Sequence, residues 1–167
     1  LDFPQLRFPA RGDSVKEVSV GCDVIFGPWL AEKLGTNWFP GRGSIIGLGD
    51  MSTGKPVAAA WFEGFNEASV VCHFAAEPKS ILTREFLWFI SYYPFEQLKV
   101  RKVISPVESS NLPSINWVTK FGFTLEATLK DAAPKGDLLI FSIEKDQCKW
   151  LHLRNKSSVK TESARTA

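Results

Sequence analysis

The chain lacks the residues that build disulfide scaffolds and small metal centres. Its three cysteines, Cys22, Cys72 and Cys148, are far apart, odd in number and never spaced C-x-x-C. That pattern argues against a disulfide framework or a zinc site and fits a reducing compartment, so the expected location is cytoplasmic and no metal is expected. No apolar run is long enough to cross a bilayer as a helix, so no membrane partner is expected. Charge of one sign is not in excess. A formal net charge of +2 is too small to point to nucleic acid by itself. The start, Leu1-Asp-Phe-Pro4, has neither a basic n-region nor an apolar h-region and is not expected to be a signal peptide. It does not begin with Met, so a processed or trimmed start is expected. No internal repeat is evident.

What is present is an ordinary globular composition. The 167 residues suffice for one domain with a core, and 44% hydrophobic against 23% charged residues is typical of a soluble chain. Thirteen Phe and six Trp favour a sheet packed by large side chains. Residues 1–16 hold Pro4, Pro9 and Gly12 among charges and read as an extended lead-in. Val18-Ser-Val20 reads as a short strand. Gly27-Pro-Trp-Leu-Ala-Glu-Lys-Leu-Gly35 reads as a brief helix, with Pro28 near its start and Trp29, Leu30 and Leu34 facing inward. After a loop with a Pro40-Gly41 turn, three strands are predicted in succession: 44–50, 56–65 and 68–75. The first two form a hairpin about Ser52-Thr-Gly54. The third, apolar on both faces, is placed centrally.

A helix follows, capped by Ser80 or Thr83, with Phe86, Phe89, Ile90 and Tyr93 as one stripe and Pro94 at its last turn. The next strand, Val100-Arg-Lys-Val-Ile-Ser-Pro-Val107, completes a strand–helix–strand unit with a right-handed crossover. A short helix then places Leu112, Ile115 and Val118 on one side. Ser110 or Asn111 can cap it, Pro113 suits its first turn, Lys120 its last, and Gly122 can end it in a left-handed conformation. Phe123, Leu125, Ala127 and Leu129 alternate as on a half-buried strand. Pro134-Lys-Gly136 turns the chain, and Leu139, Phe141 and Ile143 alternate on the return. The prediction is α+β: a mixed, twisted sheet of about six or seven strands flanked by helices, in a single domain over residues 1–151. Residues 152–167 read as a mobile, polar and basic tail.

The run Asn111-Leu-Pro-Ser-Ile-Asn-Trp-Val-Thr-Lys-Phe-Gly-Phe-Thr-Leu-Glu126 resembles the segment closing the core of the GCN5-related N-acetyltransferase (GNAT) family, where an Asn after the fifth strand precedes a helix and "GF-x-x-E". Gly136-Asp-Leu-Leu139 and Cys148-Lys-Trp-Leu151 resemble a branch encoded by tailed phages and prophages. The resemblance covers roughly residues 44–151. It implies a GNAT-like fold with a shortened amino-terminal helical part, and transfer of an acyl group from acetyl-coenzyme A, or another acyl-coenzyme A, to an amine. The acceptor is then an amine-bearing small molecule or a protein N-terminus or lysine, and a homodimer is compatible with it.

The resemblance also places residues. Phe74, Ala75 and Ala76 lie beside the thioester. The pyrophosphate falls at the helix start after Glu77, where free N–H groups attract anions and Lys79, Ser80, Ile81, Leu82, Thr83 and Arg84 add contacts. Asn111 and Ser114 are further coenzyme A contacts, or simply cap the helix. The chain departs from the family where the loop, ordinarily Gln or Arg, two residues, Gly, one residue, then Gly or Ala, reads Glu77-Pro-Lys-Ser-Ile-Leu82 with no glycine. That stretch is either a cofactor cradle or an ordinary helix start. A second departure is Val118, where many members carry the Tyr that protonates the thiolate. His73, on the central strand, is the candidate base or else a packed strand histidine. Glu63 and Glu67 read as turn charges, and Glu126 as a tie between strand ends. Cys72 as an acyl-carrying nucleophile is the weaker idea, since an apolar strand holds inert cysteines. The competing function is a catalytically lapsed binding or virion and host-interaction module on the same scaffold. Nucleic-acid binding through the tail ranks last.

Overall fold

The computed structural model describes residues 16–78 and 80–153. The lead-in before residue 16, the tail after residue 153 and Lys79 lie outside the described residues. The elements are β1 (Lys16–Val20), α1 (Asp23–Leu34), β2 (Ser44–Asp50), β3 (Lys55–Glu63), β4 (Ser69–Ala76), α2 (Arg84–Tyr92), a π turn (Tyr93–Gln97), β5 (Lys102–Glu108), α3 (Leu112–Phe121), β6 (Thr124–Ala133), β7 (Gly136–Glu144) and a 3-10 turn (Lys149–Leu153). The strands join in the order β1-β2-β3-β4-β5-β7-β6. The β4–β5 pair is parallel, and β1–β2, β2–β3, β5–β7 and β6–β7 are antiparallel. This is the mixed seven-stranded sheet with helices that the sequence predicts, and β4 is central in it. Contacts divide the described residues into two compact units, 16–63 with His73–Ile90 and Gly64–Cys72 with 91–153.

In the first unit, α1 lies on β2 and β3. Phe26 and Leu30 pack with Ile45, Ala59 and Trp61, and Cys22, Trp29, Trp38 and Ala75 border this core. Each fully buried Phe or Leu contributes about 1.5–3 kcal/mol. Close approach depends on Gly47, where a Cβ would overlap the Phe26 ring. The helix starts at Asp23, four residues before the predicted Gly27, because Cys22 O accepts from Ile25 and Phe26 N–H and Asp23 Oδ1 accepts from Ile45 N–H at 3.3 Å. Pro28 therefore lies inside the helix rather than at its start. Trp29 and Leu30 face inward as predicted. Leu34, predicted inward, is exposed in the last turn. In α2, Thr83 Oγ1 accepts from Phe86 N–H at 3.1 Å, so Thr83 rather than Ser80 is the cap. The α pattern stops at Tyr92, since Pro94 has no N–H for the next rung. A π turn takes over, with Leu98 N–H on Tyr93 O.

In the second unit, β4 pairs with β5 over a short ladder, Ser69, Val70 and Val71 opposite Lys102, Val103 and Ile104. Strand β5 buries Val103, Ser105 and Val107. Helix α3 is capped by Asn111, whose Oδ1 accepts from Ser114 N–H at 3.1 Å, an arrangement worth about 1 kcal/mol. Leu112, predicted on its apolar side, is instead 69% exposed, while Val118 is buried. Gly122 ends the helix at φ 126°, ψ 7°, a positive φ outside the left-handed helical region predicted for it. Strand β6 is the larger correction. Predicted half-buried, it is exposed along nearly its whole length, Leu125 and Leu129 included. It is the outer strand, and a bulge between Leu125 and Ala127 breaks the simple alternation.

The two short sequence signatures acquire roles here. Gly136 sits at φ 126° where a Cβ would meet Ser109 Oγ. Asp137 N–H donates to that oxygen, and Ser109 N–H donates to Asp137 O, so the β7 start is pinned to the β5 end. Cys148 is fully buried. Behind it Trp150 Nε1–H donates to Phe121 O at 2.9 Å and Lys149 Nζ to Lys120 O at 2.9 Å, satisfying carbonyls at the α3 C-terminus. Glu126 ties three strands together: it pairs with Lys102 of β5 and accepts from Ser142 Oγ of β7 at 2.6 Å.

Two outcomes are expected. The Lys102 hydrogen bond, then that of Ser142, holds the Glu126 carboxyl below its ordinary 4.5. A depressed carboxyl stabilises the fold above its unfolded value and loses that contribution as pH falls through its folded value. Glu126→Gln should therefore lower the melting temperature at pH 7, and the gap to wild type should close as pH falls below about 4. Burial pushes the Cys72 thiol up to about 12 and raises that of Cys148. In the folded protein at pH 8 a colorimetric thiol reagent should therefore leave Cys72 and Cys148 unreacted until denaturant is added.

Candidate functional site

The first unit brings together a histidine, a carboxylate, a guanidinium and an indole. Alternation along β3 puts Ala59, Trp61 and Glu63 on one face, and Ala59 and Trp61 belong to the core under α1. On neighbouring β4, His73 lies against this face. Its ring centroid is 5.2 Å from that of Trp61, and its Nε2 is 3.0 Å from Glu63 Oε1. Glu63 Oε2 lies 3.5 Å from Arg42 Nε, and Trp61 Nε1–H donates to Arg42 O at 2.7 Å. The His73 and Glu63 side chains retain 25% and 23% of their exposure. They are shielded enough to hold a defined geometry and open enough to meet solute. A carboxylate at this distance orients an imidazole. Glu63 was predicted as a turn charge. It is instead the last residue of β3 and the partner of His73. Reading the pair from sequence requires the β3–β4 register, because the two residues are ten apart and meet only across the hairpin.

The stretch predicted to meet the cofactor runs from the end of β4 to the start of α2. Phe74 faces Phe86 of α2, centroids 6.4 Å apart, and Ala75 borders the α1 core. Ala76 closes β4, and Glu77 N–H then donates to Val57 O at 2.8 Å. Glu77 stands where the family has Gln or Arg. Its carboxylate takes Lys33 Nζ at 2.8 Å and Trp29 Nε1–H at 3.2 Å, and the Lys33 hydrogen bond holds it below the ordinary range. Ser80 N–H donates to Glu77 O, Ile81 is 78% exposed with its carbonyl taking Lys16 Nζ at 2.8 Å, and Leu82 is half-buried. Thr83 caps α2, and Arg84 is exposed in its first turn. This segment thus presents a helix start, a hydroxyl and a guanidinium, with the nearby carboxylate already neutralised. Lys79 is outside the described residues.

Asn111 and Ser114 belong to the second unit, where the Asn111 side chain serves as the α3 cap. Val118, at the family's Tyr position, is buried in α3. Cys72 is buried with its thiol raised to about 12, the opposite of what a nucleophile needs. Among the described residues, no group of three or more His, Cys, Asp or Glu side chains is arranged to hold a metal ion. No described helix is long and apolar enough to cross a membrane.

No family model matches this sequence, and no curated protein matches it either. Solved structures do. A dodecameric structure of spermidine N-acetyltransferase from Vibrio cholerae superposes with a TM-score of 0.62 at 13% identity, over 80% of this chain and 96% of that one. A mutant of the same enzyme gives 0.65 at 13% identity, over 83% and 98%. A GNAT-family acetyltransferase from Bacillus anthracis gives 0.52 at 18% identity, over 61% and 66%. At such identities the likeness is one of architecture, and it is specific: the chain has the fold of the GNAT acyl-coenzyme A N-acyltransferases.

Proposed function

We propose that the chain is an N-acyltransferase that moves an acyl group, acetyl in the simplest case, from acyl-coenzyme A to an amine by direct attack. The observation that carries this reading is His73 held by Glu63 on the fourth strand of a GNAT fold. Acyl-coenzyme A supplies an activated carbonyl that a neutral amine can attack: the C–N bond forms, the C–S bond breaks, and coenzyme A leaves as a thiolate that takes up a proton from solvent. Amines arrive as ammonium ions near neutral pH, so a proton must leave first. His73 takes it, directly or through one water, and Glu63 stabilises the resulting imidazolium. The Arg42 guanidinium lies beside the other Glu63 oxygen, at 3.5 Å. Phe74, Ala75 and Ala76 would hold the pantetheine arm. Lys79, Ser80, Ile81, Leu82, Thr83 and Arg84 would meet the phosphates, through side chains and the α2 start rather than through a glycine loop. Asn111 and Ser114 would add contacts. Holding amine and thioester together supplies much of the acceleration, so a Val at position 118 does not stop the reaction.

The acceptor is an amine-bearing small molecule or a protein N-terminus or lysine. The Vibrio cholerae neighbours are named for spermidine, which makes a polyamine the natural first amine to assay. A homodimer and a cytoplasmic location complete the reading, in a bacterial host if the phage resemblance of residues 136–139 and 148–151 reflects the source. The second reading, a binding module on the same scaffold, is favoured by Glu77 at the family's Gln or Arg position and by Val118.

Acetyl-coenzyme A should raise the melting temperature, by the equivalent of about 2.7 kcal/mol at a hundredfold excess over Kd. No shift at millimolar ligand would overturn the enzymatic reading in favour of the binding module. With an amine that turns over, His73→Ala should lower kcat about 10²–10⁴-fold and Glu63→Gln less, while both keep the acetyl-coenzyme A shift.

A further inference from the structure

Strand β5 presents Val103, Ser105 and Val107 to a buried face and Lys102, Ile104, Pro106 and Glu108 to a half-open one. Cross-strand partners share a face. In β7 the partners of Ile104, Pro106 and Glu108 are Ser142, Ile140 and Leu138, and Ala127 and Leu129 of β6 continue the row. The result is an aliphatic strip that ends at a carboxylate, at the carboxyl end of β5. Glu108 Oε1 is buried and has no hydrogen-bond partner. The lysines of this unit that form ion pairs are engaged elsewhere: Lys102 with Glu126 and Glu144, Lys130 with Asp137, Lys99 and Lys145 with Glu96. A buried carboxylate oxygen without a donor is costly unless something outside the chain supplies one.

We propose that Glu108 and the strip of Ile104, Pro106, Ile140 and Leu138 form a site for an alkylammonium group. The ammonium donates to the Glu108 carboxylate, and the methylenes of its chain lie on the aliphatic side chains. This deepens the acyltransferase reading and rests on it in one respect: it assigns the acceptor class as a primary amine on a flexible aliphatic arm, as in a lysine side chain or a linear polyamine. Both the charge and the chain are recognised, so short polar amines and aromatic amines bind less well. The arrangement arises from two features of the chain. The polar β5 end, Glu108-Ser-Ser-Asn111, leaves the strand as Ser109 locks onto Asp137. The sheet face beside it is half-open along β5 and β7 and fully exposed in β6.

The test is an amide chemical-shift titration of the full chain with hexylamine hydrochloride, and with hexanol as the neutral control. Hexylamine should move the amides of residues 107–111 and 138–140. Hexanol should move only those under the aliphatic strip, and far more weakly. Glu108→Gln is close to isosteric and removes the charge, so it should weaken hexylamine about ten- to hundred-fold without lowering the melting temperature. Glu126→Gln, which alters a paired carboxylate on the same sheet, should leave the affinity unchanged. Equal binding of hexylamine and hexanol, undiminished binding by Glu108→Gln, or loss of stability in that variant would each overturn the site and leave Glu108 a structural residue. The outcome is separable from the proposed reaction. Hexylamine binding through Glu108 in a chain that ignores acetyl-coenzyme A keeps this site and removes the enzyme. Acetyl-coenzyme A binding without a Glu108 effect does the reverse.

Discussion

The structure turns on strand β4 and on the fact that its two ends keep different company. At its start, Ser69, Val70 and Val71 pair in parallel with β5. Beyond them, His73 and Ala75 face the same side of the sheet as Trp61 of β3 and the α1 core. Parallel neighbours cannot be joined by a tight turn, so the chain must leave β4, form α2 and return as β5. The polar positions that matter follow from that excursion. One set sits where β4 ends and α2 begins, and the other where β5 ends and α3 begins.

Neutralising unwanted charge is the second theme. Glu77 stands at the approach to α2, where an unpaired carboxylate would repel phosphate, yet Lys33 and Trp29 both hold it. Glu63 is divided between Arg42 and His73. Glu126 joins Lys102 and Ser142. Against this background Glu108 is conspicuous as a carboxylate with a buried, unmatched oxygen. Exposed ion pairs add little to stability individually. Here their effect is to set which charges remain available to a solute.

Most of the strands could be read from the sequence because β-branched and aromatic residues alternate between clear turn signals. The α3 region could be read because Asn111, Pro113, Lys120 and Gly122 all punctuate one helix. Three things could not. The start of α1 was hidden because Pro28 resembles a helix beginning, whereas Asp23 and the carbonyl of Cys22 provide the real one. The exposure of β6 was hidden because alternation says which residues share a face but not whether a further layer covers it. The His73–Glu63 pair was half-visible: the histidine stood out, but its partner depends on cross-strand register. The Gly136-Asp-Leu-Leu139 and Cys148-Lys-Trp-Leu151 signatures were visible as patterns and became interpretable only once Ser109 and the carbonyls of Lys120 and Phe121 lay beside them.

The bulge of β6 carries a consequence for how the molecule behaves in a crowd. A long, flat outer strand is a template on which another chain can add its own backbone. This one has its pairing with β7 interrupted at Glu126 and again between Leu129 and Ala133, with Asp131 at φ 51°. It also carries Glu126, Lys130 and Asp131 close in sequence to the exposed Leu125 and Leu129. The irregularity denies an approaching strand a continuous ladder along that edge.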